Sequence, residues 1–447
     1  MLRTTTGGLA AAMLLSSSAL AQQPATPAPA IYIHAGALLD RPGQAPRGPS
    51  TLVVRDGRIA QVLDGHAAPP AGARVIDLRG QFVLPGLIDS HVHIFNDDDK
   101  LQARLQANNR DIEDNFVVGV DNARRTLDSG FTTVRDLGSD PRSSTALRDG
   151  INRGLLAGPT ILTAGRGVSI TAGHGDGANN ANRGAAAFAR SQADNLCDGP
   201  DDCRRAVREQ ISKGADVIKF MATGGVNSDI AAGLGQQMAA DEMKAVVDTA
   251  HMLGRKVAVH AHGADGIKAA LNAGADSIEH GSYTDDEANA LFKSKRAYLV
   301  MTMLAPRAAL AQARAGSRNP NTLAKAEEVN QVATRNWSRA IRAGVPIAFG
   351  TDNGVGAHGT GGQEFALMVE GGMTPAAAIR AATVNAAELL GRADRLGTLE
   401  PGKDADIIAV ARSPLENVRE LESVRFVMRQ GVVHKLDGRR QAFPPEG

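Results

Sequence analysis

Aromatic residues are scarce in this chain. Phe, Tyr and Trp make up 3% of its 447 residues, with one Trp and three Tyr. Single-stranded nucleic acid is gripped largely by stacking bases on aromatic rings, so this shortage argues against that mode. An excess of one charge is also missing, since 49 Lys and Arg face 48 Asp and Glu. Neither nucleic acid nor an anionic membrane surface is therefore an expected partner. Beyond the N-terminus no apolar run is long enough to cross a bilayer. Cysteine is limited to Cys197 and Cys203, with no further Cys or His close by to complete a zinc site.

The N-terminus reads as an export signal. Arg3 gives a basic start, GGLAAAMLL is a short apolar stretch, and Ala19-Leu20-Ala21 offers a small-x-small cleavage site. Cleavage is expected after Ala21, which makes residues 1–21 a signal peptide and 22–30 a Pro/Ala tether. The mature chain is then expected to be periplasmic or secreted, without membrane attachment. In an oxidising compartment Cys197 and Cys203, which bracket the turn CDGPDDC, are expected to form a disulfide.

The rest divides by pattern. Residues 31–84 carry short β-like runs broken by Gly, Pro and Asp, and the same style returns over 396–447 in DADIIAVA and VRFVMRQGVVHK. Between them, 85–395 alternates strand and helix. The strand candidates are LPGLIDSHVH, TTVRDL, TILTAG, VIKFMA, VAVHAHG, DSIEHG, YLVMTM and PIAFGTD. Eight strands spaced by helices predict an α/β fold, a (β/α)8 TIM-like barrel, with the two terminal regions joining as one small β-sandwich. Helices are predicted from Asp241 to the stop at Gly254, and from Thr374, with Pro375 at its first position, to Gly391.

Residues with metal-binding chemistry fall at the carboxyl ends of these strands, where barrel enzymes keep their sites. They are His91, His93, Lys219, His260, His280 and Asp352. Alternate strand residues face the same way, so the HxH pair presents two imidazoles to one point. Neutral nitrogens with a carboxylate suit one or two divalent ions. An ordinary lysine would be repelled there, but an amine that has captured carbon dioxide becomes an anionic carbamate able to bridge two metals. Asp89, two residues before His91, is a candidate support. His260 and His262 both point inward. His260, the deeper, is taken as the ligand and His262 as a substrate-binding or supporting residue. His174, in a Gly-rich loop after the third strand, is placed against a substrate carbonyl. His358, after the eighth, is placed within reach of substrate. His34, His66, His251 and His434 lie away from the strand ends and read as structural or solvated.

Together PGLIDSHVH, the lysine of DVIKF, HAHG, EHG, GTD and GTLEPGKDADI resemble the amidohydrolase superfamily over nearly all of the mature chain. VIKFMATGG with VAVHAHG and SIEHGS is similar to its exported Xaa-Pro and Xaa-Arg dipeptidases and to ochratoxin-hydrolysing members. The resemblance implies a carboxylated Lys219 bridging two zinc ions, one held by His91, His93 and Asp352 and the other by His260 and His280. It also implies a homo-oligomer, with the octamer as one form. Some of these dipeptidases set a tyrosine from the loop after the fourth strand against the scissile carbonyl. Here that loop, through GLGQQM, contains no tyrosine, which moves the electrophilic role to His174.

The expected reaction is hydrolysis of an N-acyl amino acid or dipeptide, ochratoxin A included, by metal-activated hydroxide. Asp352 would take and return the proton. The rival readings are a mononuclear cyclic-amide hydrolase or deaminase of the same superfamily, which needs no strand-end lysine, and a metal-free binding or assembly module.

Overall fold

The computed structural model describes residues 1–2, 29–106, 109–179, 181–228, 230, 233–316 and 320–443. Most of the expected signal peptide, its cleavage site and most of the tether lie outside the described residues. Among the described residues no helix is long and apolar enough to cross a membrane.

Both terminal regions enter one eight-stranded sheet. Its strands are β1 (Ile31–Leu38), β2 (Ser50–Arg55), β3 (Arg58–Asp64), β4 (Arg74–Pro85) and, from the far end of the chain, the remaining four. The late strands are β12 (Ile407–Val410), β13 (Phe426–Arg429), β14 (Val432–Leu436) and β15 (Arg439–Arg440). The order is β15-β14-β13-β12-β4-β1-β2-β3. Antiparallel pairing of β4 with β12, Leu84 opposite Ile408, is the seam where the two regions meet. Ile33, Leu52, Leu78, Ile407 and Phe426 form a core of their own in this sheet. The hydrogen bonding joins all eight strands in one continuous sheet.

The seven strands between are parallel. β5 (Leu87–Val92), β6 (Phe131–Asp136) and β7 (Thr160–Thr163) form one sheet. β8 (Val217–Met221), β9 (Lys256–Ala261), β10 (Ser277–His280) and β11 (Tyr298–Val300) form another. Buried on both faces, such strands read as near-continuous apolar runs, as VAV in β9 does. The eighth expected strand, PIAFGTD, is a bridged segment instead. Leu299 N–H donates to Pro346 O at 2.9 Å on one side, and Ser90 N–H to Phe349 O at 2.9 Å on the other. Pro346 brings no N–H to a ladder, and Gly350 packs so close to His91 and Val300 that a Cβ would collide. Beyond β7, Val168 N–H donates to Lys219 O at 2.8 Å, tying the first parallel sheet to the second.

The helix at Asp241 spans Ala240–Met252 and closes at Gly254 in a left-handed conformation. The helix after Thr374 departs from expectation. It runs as Pro375–Arg380, a π-turn at Ala381–Asn385, and Ala386–Leu389. Thr383 Oγ donates back to the Ile379 carbonyl at 2.7 Å inside the widened turn. Cys197 and Cys203 are joined as a disulfide at the entry to the helix Pro200–Ser212, which leads into β8.

Candidate metal centre

The strand ends place their polar side chains into one cavity of about 670 Å³, lined by His91, His93, His174, Lys219, His260, His262, His280 and Asp352. Its apolar walls include Phe95, Ile112, Pro306, Val329 and Val355, and Lys100 and Arg110 line its charged side.

Two clusters face each other inside it. In the first, ligand atoms of His91, His93 and Asp352 lie within 4.8 Å of one another. Asp352 Oδ1 is 3.6 Å from His91 Nε2 and 3.4 Å from His93 Nε2. The opposite ring nitrogens are committed elsewhere. His91 Nδ1–H donates to Glu279 Oε2 at 2.8 Å, and His93 Nδ1–H donates to the Gly138 carbonyl at 3.2 Å. Both Nε2 atoms therefore carry lone pairs toward a carboxylate oxygen that is buried and has no hydrogen-bond partner. Three electron-rich atoms so close repel each other unless a cation lies among them, so this donor set fits a metal ion.

The second cluster is His260, His262 and His280, again within 4.8 Å. Thr302 Oγ gives its proton to the Met301 carbonyl at 2.7 Å, so it accepts from His280 Nδ1–H at 2.8 Å. That leaves His280 Nε2 as a free donor atom. His262 Nδ1 pairs with Ser282 Oγ at 2.8 Å, whereas His260 Nε2 faces the Gly224 carbonyl at 3.3 Å. His260 and His262 both join the cluster, so the two differ in what anchors them and not in depth. The clusters adjoin, with the His91 and His280 ring centroids 5.1 Å apart.

Burial keeps these rings neutral. Desolvation first, with the Lys219 charge adding to it, lowers His93 to about 4 and His91 well below its ordinary value. Desolvation and the neighbouring histidines do the same to His260 and His280. Neutral imidazole is the form that binds metal. Lys219 is 2% exposed, and burial pushes its amine down to about 8, against the pull of Glu279 and Asp352. The un-ionised amine, the form that can take up carbon dioxide, is thereby more populated than in a solvent-exposed lysine. Burial pushes Asp352 up to about 7, with Lys219 opposing.

Several backbones are bent to build the site. His280, Thr302 and Asp352 have φ of 72°, 52° and 57° at successive strand ends. For a β-branched residue such as Thr302 this conformation is strained, and strain of this kind collects at functional sites. Asp89 pins two of the strand ends together. It accepts from the backbone N–H of His91 and of Thr351 at 3.1 Å each, and from Thr351 Oγ at 2.6 Å. It supports the ligands through their backbone and not through an imidazole ring.

His174 lines the cavity. Its ring stacks on His260 with centroids 4.2 Å apart, and its buried Nδ1 has no partner. Gly225 lies against it so closely that any Cβ would strike the imidazole. Burial lowers His174 to about 3, so it is neutral. His358 is a correction. It does not line the cavity. Its Nε2–H donates to the His93 carbonyl at 3.1 Å and its Nδ1 lies 3.3 Å from Thr126 Oγ, so both ring nitrogens are spent, one of them on the backbone of His93. Sequence reasoning also missed Glu279, Arg135, Ser282 and Thr302, although Glu279 stands beside His280 in the EHG motif.

This geometry belongs to a known class. The model of the amidohydrolase family matches residues 82–436, and the chain belongs to that family. It is a hydrolase acting on C–N amide bonds. It is similar to ochratoxinase of Aspergillus niger, 34% identical over 428 residues that cover 91% of this chain and 87% of the relative. The crystal structure of that ochratoxinase superposes with a TM-score of 0.80, 32% identity and coverage of 91% and 96%. A Xaa-Pro dipeptidase with methionine bound in its active site gives a TM-score of 0.85, with 37% identity over 91% of this chain and all of that one. A prolidase complexed with N-methylphosphonate-L-proline gives 0.82, with 30% identity over 92% and 100%.

Proposed function

We propose that this chain is an exported, zinc-dependent amidohydrolase that cleaves N-acyl amino acids or dipeptides, including ochratoxin A with release of phenylalanine. The observation that carries the reading is the buried, unpartnered Asp352 Oδ1 facing two imidazole lone pairs, beside a second histidine cluster and a buried lysine. His91, His93 and Asp352 would hold one zinc ion and His260 and His280 the other, with a carbamate on Lys219 between them. When bound, the ions supply Lewis acidity to the amide carbonyl and bring the acidity of water toward neutrality. Asp352 moves the proton from water to the leaving amine. His174 is held over His260 to meet the carbonyl oxygen, and His262 helps to hold the substrate. Two clusters, not one, favour this reading over the mononuclear rival.

In the same reading the parallel strands and the segment 346–352 close as a (β/α)8 barrel over 85–395. The terminal sheet, folded on its own core, is the small sandwich of 31–84 and 396–447. The mature protein is periplasmic or secreted after loss of residues 1–21, and assembles as a homo-oligomer, the octamer being one form.

The test is a mass-spectrometric hydrolysis panel on zinc-loaded mature protein, each substrate run with a chelated control. It contains Xaa-Pro, Xaa-Arg and Xaa-Phe dipeptides, N-acyl amino acids, ochratoxin A and cyclic imides. Chelator-sensitive release of a C-terminal amino acid is expected. Silence on every linear amide with turnover of a cyclic imide would move the chain to the rival branch.

A further inference from the structure

An ion pair lies beside the clusters that the chemistry above does not use. Arg135 on β6 and Glu279 on β10 are 1% and 0% exposed and belong to different sheets. Arg135 Nη2 donates to Glu279 Oε1 at 2.8 Å, and its Nε donates to the Ser90 carbonyl at 2.6 Å. Ser277 Oγ donates to the same Glu279 oxygen at 2.5 Å. The other oxygen, Oε2, accepts the Nδ1–H of His91 at 2.8 Å. Arg135 Nη1 is buried and makes no hydrogen bond among the described residues.

A pair like this is a poor stabiliser. Removing two charges from water costs about as much as their attraction returns, and well-packed apolar side chains in their place are often as stable or more so. The unmatched guanidinium N–H adds to the cost. What the pair does have is a direction. Among the described residues, His91 is the one imidazole of the two clusters whose Nδ1 meets a carboxylate. His93 rests on a carbonyl, His262 on a serine and His280 on a threonine. A carboxylate on Nδ1–H fixes the tautomer, sets the ring orientation and makes Nε2 a stronger electron donor.

We infer that Arg135 and Glu279 are a positioning pair. Arg135 and Ser277 hold one oxygen of Glu279 so that the other aims the His91 ring, with Nε2 turned toward His93 and Asp352. The inference rests on the metal reading proposed above and adds to it the residues that tune one of the two sites.

The experiment challenges the zinc-loaded protein with rising chelator and counts the ions retained per chain, alongside thermal melting. The variants are Glu279→Gln and the double change Arg135→Met with Glu279→Met. In Glu279→Gln one ion per chain is expected to be held about 10–100-fold more weakly and the other as in the parent, with a lowered melting temperature because Arg135 is left buried without its counter-charge. The double variant is expected to melt no lower than the parent and yet show the same loss of one ion. Stability and metal retention then part company, which a merely structural pair would not allow. Parent-like retention in both variants overturns the inference. So does loss of both ions in step with a lowered melting temperature. A parent that retains no ion overturns the metal reading itself, and this inference with it.

Discussion

The terminal sheet and the carboxyl ends of the parallel strands both bury their side chains, and they bury opposite things. In the terminal sheet the shared cluster is apolar, built from residues such as Ile33, Leu52, Ile407 and Phe426. At the ends of the parallel strands the same degree of burial encloses His91, Lys219, Glu279, Arg135 and Asp352. Apolar burial stabilises by removing surface from water, at about 25 cal/mol per Å². Buried charge does the reverse unless it is paired, and it persists where the site needs it. The parallel strands have an apolar core of their own, with Val134, Ile218, Val259 and Phe349 in it, so the stability spent on chemistry is confined to their carboxyl ends.

The sharpest way to break this contrast is Lys219→Ala. Turnover is expected to fall on the order of 10²–10³, with fewer ions retained, while in metal-free protein the melting temperature stays level with the metal-free parent or rises because a buried amine is gone. Full activity with two ions bound in that variant would remove the bridging role from Lys219. Next in size is Phe426→Ala in the terminal sheet, expected to cost about 3–5 kcal/mol of stability. Phe426 is absent from the cavity lining, so activity per folded molecule should not change. Denaturant melts paired with initial rates would check both halves of that statement.

The smallest effect concerns Glu364, a buried carboxylate that accepts from the N–H groups of Met303 and Leu304 at 2.7 and 2.8 Å. Burial pushes it from an ordinary value of 4.5 up to about 8. The folded chain therefore holds this proton more tightly than the unfolded one. Its contribution is fully present below about pH 4.5 and is lost as pH rises through about 8. Glu364→Gln cannot ionise, so its stability should fall less than the parent's over pH 6 to 7, by about 1 kcal/mol. Parallel pH slopes for the two proteins would show that Glu364 is already ionised in the fold.

Much of this was legible in the sequence wherever a rule of period two applied. Alternation in HVH sent both rings to one carboxylate, and the apolar run before HAHG gave a buried strand. The same rule sent His260 and His262 inward together, but depth alone did not separate them. Loops carry no period, which is why His358 was given to the substrate when its ring turns to the backbone of His93. The pairing of Arg135 with Glu279 joins residues 144 positions apart, and no local spacing announces it. The π-turn at Ala381–Asn385 was hidden for a different reason. Its alanines have high helix propensity, and the extra residue shows only in the hydrogen-bond pattern.

The single tryptophan acquires a use from where it sits. Trp337, on the helix Pro320–Arg342, is 2% exposed, borders the cavity and donates its indole N–H to the carbonyl of His280 at 2.7 Å. With no other indole in the chain, its fluorescence is an optical signal from one address. Whatever shifts the backbone of His280 is read out as a change in colour or brightness, with no label attached.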